Sequence, residues 1–205
     1  MLSVEEIEAS LFLGYELRGL EVKGPGLRTD SHLFAKVTRA ALSMANLRDG
    51  GHVLIGIDDT NTAAMLPGLN SAELTSWLSY DDVSRKLAEY ADPPLRFDLD
   101  ARTLSSGATV ALVQIHEFAD IPVLCIKDYP NVLRSGACYV RPRRVPETAE
   151  IPSAGEMRDL LDLATEKALR AYVGRAERAG VTLATQGPVV PTPSDRFRQQ
   201  RGATW

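Results

Sequence analysis

The stretch that most constrains the fold is Gly50-Gly51-His52-Val53-Leu54-Ile55-Gly56-Ile57-Asp58-Asp59. A short apolar run between turn-forming residues predicts a buried strand from His52 to Ile57. The glycine pair turns the chain into this strand. The aspartate pair follows at its end, which predicts carboxylates held at the edge of a rigid element.

The segments before this strand have clear patterns. From Leu20 to Lys23 apolar and charged residues alternate, which predicts a strand with Glu21 and Lys23 on one face. Helices are predicted from Ser3 to Leu13 and from Ser31 to Asn46, because each has an N-capping residue and apolar residues at helical spacing.

The segments after the central strand predict further helices and strands. They are helical material from Ser71 to Ala91 in one or two pieces, strands at Leu95 to Thr103, Thr109 to His116, Val123 to Lys127 and Gly136 to Arg141, and a long helix from Ser153 to about Arg178. The apolar stripe predicted on this last helix is Met157, Leu160, Leu161, Ala164, Ala168 and Tyr172. This order predicts an α/β (α+β) domain with a mixed β-sheet flanked by helices. We place the domain at residues 1–179 and a flexible tail containing Pro, Thr and Arg at residues 180–205.

Composition narrows the class of protein. A chain of 205 residues is long enough for one domain with its own core. The net charge of −4 excludes a protein that is basic throughout, so any contact with nucleic acid requires a local patch. Two cysteines do not form a disulfide framework, and no apolar run reaches membrane-spanning length. We therefore expect a soluble, cytoplasmic protein without a membrane segment.

Three carboxylates are candidates for chemistry. Glu16 and Glu21 flank the start of the first strand, and Asp59 follows the central strand. If the strands are neighbours, these groups converge, and convergent carboxylates are the usual ligands of Mg²⁺ or Mn²⁺. Such a metal could activate water for phosphodiester cleavage, with Lys23 contacting the phosphate. The alternative is that these acids are solvated turn formers.

A second candidate feature is a group of four arginines interrupted by no acid. They are Arg134, Arg141, Arg143 and Arg144, with Tyr139 among them. On an acidic protein they predict a phosphate-binding edge. The alternative is an exposed edge strand protected by charge.

Two other kinds of site are not supported by the sequence. The glycines around the central strand do not match the phosphate-binding loop of ATPases, in spacing or in order of elements. Cys125, Cys138 and His116 are too few and too widely spaced for a zinc site. They are better explained as buried thiols and a hydrogen-bonded histidine.

The combination of these motifs resembles the Schlafen core domain, whose prokaryotic relatives are described as AlbA-type DNA-binding domains. The resemblance covers about residues 8 to 165. It is carried by Glu16-x-x-x-x-Glu21-x-Lys23, by the helix ending in Ala45-Asn46, by Gly50-Gly51-x-Val53-Leu54-Ile55-Gly56-Ile57-Asp58-Asp59, and by Gly136-Ala-Cys-Tyr139-Val140-Arg141. The sequence departs from the family pattern at Val22, usually phenylalanine, and at Leu47, usually threonine.

The resemblance implies a fold and an activity. Animal Schlafens with this pattern are endoribonucleases that act on transfer and ribosomal RNA, using two glutamates, an aspartate and a divalent metal. The pattern maps onto Glu16, Glu21 and Asp59, which would bind Mg²⁺ or Mn²⁺. Animal cores have two lobes around a groove, whereas this chain has one, so the resemblance implies a homodimer. The family's zinc site is not carried over, because the cysteines are lacking.

The first functional hypothesis is therefore a metal-dependent endoribonuclease acting on structured RNA such as tRNA, in stress or phage defence. Glu16, Glu21 and Asp59 would hold the metal, and Lys23 and the four arginines would hold phosphate. The alternative is a non-catalytic regulatory module that binds RNA or DNA. A third possibility is a scaffold whose tail binds a partner.

Overall fold

The computed structural model describes residues 2–13, 17–143 and 147–181. The helices are α1 (Val4–Phe12), α2 (Ser31–Ala45), α3 (Ser71–Leu78), α4 (Tyr80–Ala88) and α5 (Ala154–Arg178), with a short 3₁₀ helix at Thr62–Ala64. The strands are β1 (Leu20–Lys23), β2 (Gly51–Ile55), β3 (Ala91–Asp92), β4 (Phe97–Thr103), β5 (Thr109–Ile115), β6 (Leu124–Cys125), β7 (Tyr139–Val140) and β8 (Ala149–Glu150). The predicted fold class is confirmed.

The main sheet has four strands in the order β1-β2-β5-β4. β1 runs parallel to β2, while β5 is antiparallel to both β2 and β4, so the sheet is mixed as predicted. Two small antiparallel pairs, β3 with β6 and β7 with β8, lie outside it. The glycine-flanked strand β2 is therefore an inner strand of the sheet.

Hydrophobic clusters cover both faces of β2. Val53 and Ile55 belong to the larger cluster, which includes the buried face of α2. Leu54 belongs to the smaller cluster, together with Ile7 and Leu11 of α1. Burial on both sides explains why this segment is continuously apolar rather than alternating.

The side chain of Asn46 fixes the end of α2. Its amide nitrogen donates to the carbonyl oxygens of Val123 and Tyr139, both at 2.9 Å, and its oxygen accepts from the backbone N–H of Val123 at 2.8 Å. The residue is buried, so these bonds satisfy polar groups that water cannot reach. They attach α2 to the residue before β6 and to the first residue of β7.

The long C-terminal helix differs in part from its prediction. Only Leu160 and Leu163 are buried, whereas Met157, Leu161 and Tyr172 of the predicted apolar stripe are exposed. The core covers a narrower strip of the helix than its hydrophobic pattern suggests.

The chain forms two units, residues 1–168 and 169–205. Within the described ranges, no helix is both long and apolar enough to cross a membrane.

Gly50 occupies a backbone position that no other residue fits. Its φ is 73°, and a Cβ there would collide with the carbonyl oxygen of Ile115 and lie 3.0 Å from the backbone nitrogen of Glu117. Gly107 has a similar φ of 85°, but within the described part of the chain no atom lies within 4 Å of its added Cβ. The two glycines therefore share a backbone conformation and differ in the space around it.

We expect Gly50→Ala to lower the free energy of unfolding by about 3 kcal/mol or more, because backbone strain and collision add. Gly107→Ala should cost only the strain, about 1 kcal/mol. Urea denaturation of both variants measures the difference. Equal losses would show that the Ile115 carbonyl does not constrain this position.

Candidate nucleic-acid interface

The candidate site is built on β1, where two charged side chains share a face. Glu21 pairs in register with Val53 of β2, while Leu20 and Val22 join the smaller hydrophobic cluster on the α1 side. Strand alternation therefore directs Glu21 and Lys23 to the face that α2 covers. The prediction that these two charges lie on one face is confirmed.

The carboxylate of Glu21 is buried and bridges two cations. One oxygen accepts from the ammonium of Lys23 and the other from the guanidinium of Arg141. Arg141 also donates to the carbonyl oxygens of Leu17 at 3.1 Å and Leu20 at 3.4 Å. Together these contacts form a clamp, which joins β1 to the chain that follows β7.

The clamp changes the interpretation of Arg141. Its side chain is 0% exposed, so its guanidinium lies in the interior and not on the phosphate-binding edge that we expected. Burying a charge is costly unless it is paired and hydrogen-bonded, and Glu21 supplies the pairing. Arg141 therefore serves as a positioning residue for β1.

A cavity of about 390 Å³ lies beside the clamp, and we call it the α2 cleft. Its lining residues are Glu21, Lys23, His32, Lys36, Arg39, Ala40, Asp59, Asn131, Val132, Glu147 and Thr148. The structure thus brings together Glu21, Lys23 and Asp59 of the predicted site. Glu16 lies outside the described residues.

Three side chains in a row on α2 line the cleft and were not among the predicted site residues. His32, Lys36 and Arg39 follow one another at i, i+4 and i+7, the spacing of a single helix face. The other face of α2 is apolar and buried in the larger cluster. The signal was therefore present in the sequence as a polar stripe opposite the apolar one.

The two aspartates after β2 have different surroundings. The carboxylate of Asp58 accepts from the backbone N–H of Thr60 at 2.9 Å and from its hydroxyl at 2.7 Å. These hydrogen bonds, the hydroxyl's first, hold the pKa of Asp58 below its usual range. Asp59 lines the α2 cleft. The second aspartate is thus the one available to a ligand in the cleft.

The described residues supply two of the three acids of the predicted metal site, Glu21 and Asp59. Within ranges 2–13, 17–143 and 147–181, no three His, Cys, Asp or Glu side chains are grouped so that they could hold a metal. Both oxygens of Glu21 already accept from cations, which would compete with a metal ion. A metal at this carboxylate would require the Lys23 and Arg141 contacts to open.

Two other predicted arginines, Arg134 and Arg143, are each paired with an acid. Arg134 pairs with Glu150 of β8 at 2.6 Å, and Arg143 pairs with Asp159 of α5 at 3.1 Å. Both side chains are exposed, whereas Arg144 lies outside the described residues. Neither Arg134 nor Arg143 lines the α2 cleft, so the structure does not bring these two arginines together with Glu21 and Asp59 as one surface.

Cys125 is buried and His116 is hydrogen-bonded, as the sequence suggests, whereas Cys138 is only partly buried. Cys125 and Cys138 are free thiols, and burial raises the pKa of Cys138 to about 11. A thiol with this pKa is almost entirely protonated at neutral pH and is a poor nucleophile. His116 forms a 2.7 Å hydrogen bond with Asp98. These residues therefore need no catalytic explanation.

Comparison with known proteins identifies a family profile. The profile described as "Schlafen, AlbA_2" matches residues 17–147. No curated protein matches the sequence. Among solved structures, the DIP2311 protein from Corynebacterium diphtheriae is 16% identical with a TM-score of 0.48, over 76% of this chain and 27% of that one. The N-terminal domain of a RecG-related protein from Nitrosomonas europaea is 20% identical with a TM-score of 0.42, over 66% of this chain and 88% of that one.

We expect Arg141→Ala to lower the free energy of unfolding by about 3–5 kcal/mol, because it leaves a buried carboxylate with one partner fewer. Arg134→Ala removes an exposed ion pair and should cost less than about 1 kcal/mol. Chemical denaturation of the two variants compares them directly. Similar losses would contradict the assignment of Arg141 to a buried clamp.

Proposed function

The chain belongs to the Schlafen AlbA_2 family, and we propose that it binds nucleic acid through the α2 cleft. The observation that carries this proposal is the row His32, Lys36 and Arg39 on one face of a helix, opposite Lys23 of β1. Cations arranged along one groove are the usual means of contacting a phosphate backbone.

Lys36 and Arg39, the two charged side chains of this row, have different environments. Lys36 is exposed, and among the described residues no carboxylate lies within ion-pairing distance of it. Arg39 is held in place: one of its nitrogens donates to the carbonyl oxygen of Thr148 at 3.0 Å, and its guanidinium lies 5.5 Å from the centre of the Tyr139 ring. A guanidinium held in place beside an exposed ammonium suits a phosphate that is both oriented and neutralised.

The charge of the α2 cleft is mixed. Glu21 contributes a negative charge that Lys23 and Arg141 offset, while Asp59 and Glu147 also line the cavity. On a protein with a net charge of −4, such a cleft attracts phosphate only locally. We therefore expect the affinity for nucleic acid to be moderate and to depend on which side chains of the cleft the phosphate contacts.

We expect Lys36→Glu to weaken binding of both RNA and DNA and to reduce the slope of log K against log salt by about one, because one phosphate contact is lost. The matched control is Arg175→Glu on α5, an exposed position with the same change of charge that does not line the cleft. Fluorescence anisotropy across a salt series measures both variants.

Two outcomes would contradict the proposal. One is the absence of any binding by the wild-type protein at low salt. The other is an equal effect of the Lys36 and Arg175 variants, which would indicate a general charge effect rather than a site.

A metal-dependent endoribonuclease is the second candidate function. One observation favours it: Glu21 and Asp59, two of the three acids that the family pattern selects, line the same cleft as the cations. The third acid, Glu16, lies outside the described residues. The described residues therefore contain two of the three predicted metal ligands, and we assign no individual catalytic step to a metal ion.

For this second candidate we expect Asp59→Asn to abolish cleavage of total tRNA in the presence of Mn²⁺, because it removes a carboxylate from the cleft. Asp58→Asn is the matched control, since Asp58 is the adjacent acid and faces Thr60. Gel analysis of the RNA gives the readout. Wild-type protein that binds RNA without cutting it would favour the non-catalytic regulatory module.

We propose four further properties of this protein from the family resemblance. They are structured RNA such as tRNA as the ligand, Mg²⁺ or Mn²⁺ as cofactor, a C₂ homodimer that completes a two-lobed groove, and a cytoplasmic location. Arg134 and Arg143 are exposed and could contact phosphate only if their pairs with Glu150 and Asp159 open. We retain them as secondary contacts.

A further inference from the structure

A second cavity adjoins the α2 cleft, and we call it the Tyr129 hollow. It has a volume of about 470 Å³, in the range of small-molecule pockets. Arg39, Asn131 and Val132 line both cavities. The two cavities therefore meet at these three side chains and can hold adjacent parts of one ligand.

The Tyr129 hollow differs chemically from the α2 cleft. Its walls combine the rings and apolar side chains of Tyr129, Pro130 and Leu133 with the charged side chains of Asp128, Arg134 and Glu150. More than half of the residues that line the α2 cleft are charged. The ring of Tyr129 lies 6.1 Å from the imidazole of His32, which lines the α2 cleft. An aromatic surface thus continues from the charged cavity into the more apolar one.

Tyr129 is the ring in the hollow that is available to a ligand. The other, Tyr139, is buried, its hydroxyl accepts from the backbone N–H of Arg134, and Arg39 lies over its ring. Tyr129 is partly exposed. Tyr139 therefore serves as structure, and Tyr129 offers a face.

The turn that carries Tyr129 is closed by backbone hydrogen bonds. The N–H of Tyr129 donates to the carbonyl oxygen of Leu133, and the N–H of Leu133 donates to that of Tyr129, both at 2.9 Å. Asn131 at the tip has a φ of 58°, a left-handed conformation that asparagine tolerates. The turn holds the ring in a defined place before any ligand arrives, which lowers the entropy cost of binding.

Arg39 occupies the junction between the cavities. Its Nε is buried, and among the described residues no group accepts its hydrogen bond. A phosphate in the α2 cleft would meet this guanidinium and the ammonium of Lys36. The group attached to that phosphate would then reach the Tyr129 hollow.

We propose that the two cavities together bind one unpaired nucleotide, with its phosphate in the α2 cleft and its base in the Tyr129 hollow. A base can turn away into a side cavity only if it is neither paired nor held in a helical stack. The ligand class is therefore single-stranded nucleic acid, or an unpaired segment of a folded RNA. This inference rests on the proposed nucleic-acid binding and specifies its ligand.

The test compares a short fluorescein-labelled RNA with the same RNA annealed to its complement, using the full chain. We expect the wild-type protein to bind the single strand more tightly. Tyr129→Leu should weaken single-strand binding by about 5- to 100-fold, the usual contribution of one stacked base, and should leave duplex binding within about twofold. Tyr129→Phe keeps the ring and should bind as the wild type does.

Controls separate the possible failures. Tyr172→Leu changes an exposed tyrosine that lines neither cavity and should have no effect. Thermal unfolding of each variant checks that it folds, and the wild-type preference for single strands tests the inference without any variant. Equal binding of single strand and duplex would overturn the nucleotide site and leave the proposed function standing. Binding of neither would overturn the proposed function itself.

Discussion

The structure depends on one buried carboxylate. Glu21 sits between the ammonium of Lys23 and the guanidinium of Arg141, and all three lie on or behind the wall of the α2 cleft. A hydrophobic residue at position 21 could fill the same space at less cost, since buried ion pairs seldom increase stability over well-packed apolar groups. The charge instead fixes the position of β1, because in any other position the buried carboxylate of Glu21 would lose its partners.

The helix α2 links the core to the candidate site. Its buried face carries small residues such as Ala35, Ala41 and Ala45, which let the helix approach the sheet closely. Its opposite face carries the cations of the cleft. Because a packed core resists displacement, side chains on such a helix are held more firmly than side chains on a surface loop. Asp59, by contrast, lies in the loop after β2, so its carboxylate is held less firmly than the side chains on α2.

The sequence was informative where a local pattern determines the structure. The apolar run of β2, the alternation in β1 and the capped helix α2 all have periods that a short window reveals, and each lies where it was predicted. Arg141 shows the limit of such reasoning. Its neighbours Arg143 and Arg144 suggest a charged edge, and its burial follows from a partner 120 residues away. The row of His32, Lys36 and Arg39 on α2 is visible in the sequence, but as polar residues at helical spacing rather than apolar ones.

The separation between Glu21 and Arg141 also has a consequence for the order in which the protein is made. Synthesis proceeds from the N-terminus, so β1, α2 and β2 leave the ribosome well before Arg141 does. Until then a carboxylate destined for the interior has only Lys23 as its partner, and closing β1 onto the sheet would bury an incompletely compensated charge. The nascent chain can therefore form helices α1 to α4 and the inner strands early, while the wall of the cleft is completed only when the chain beyond β7 has emerged. A shortened chain that ends before residue 141 would carry every residue of the β1 motif and lack the group that fixes it in place.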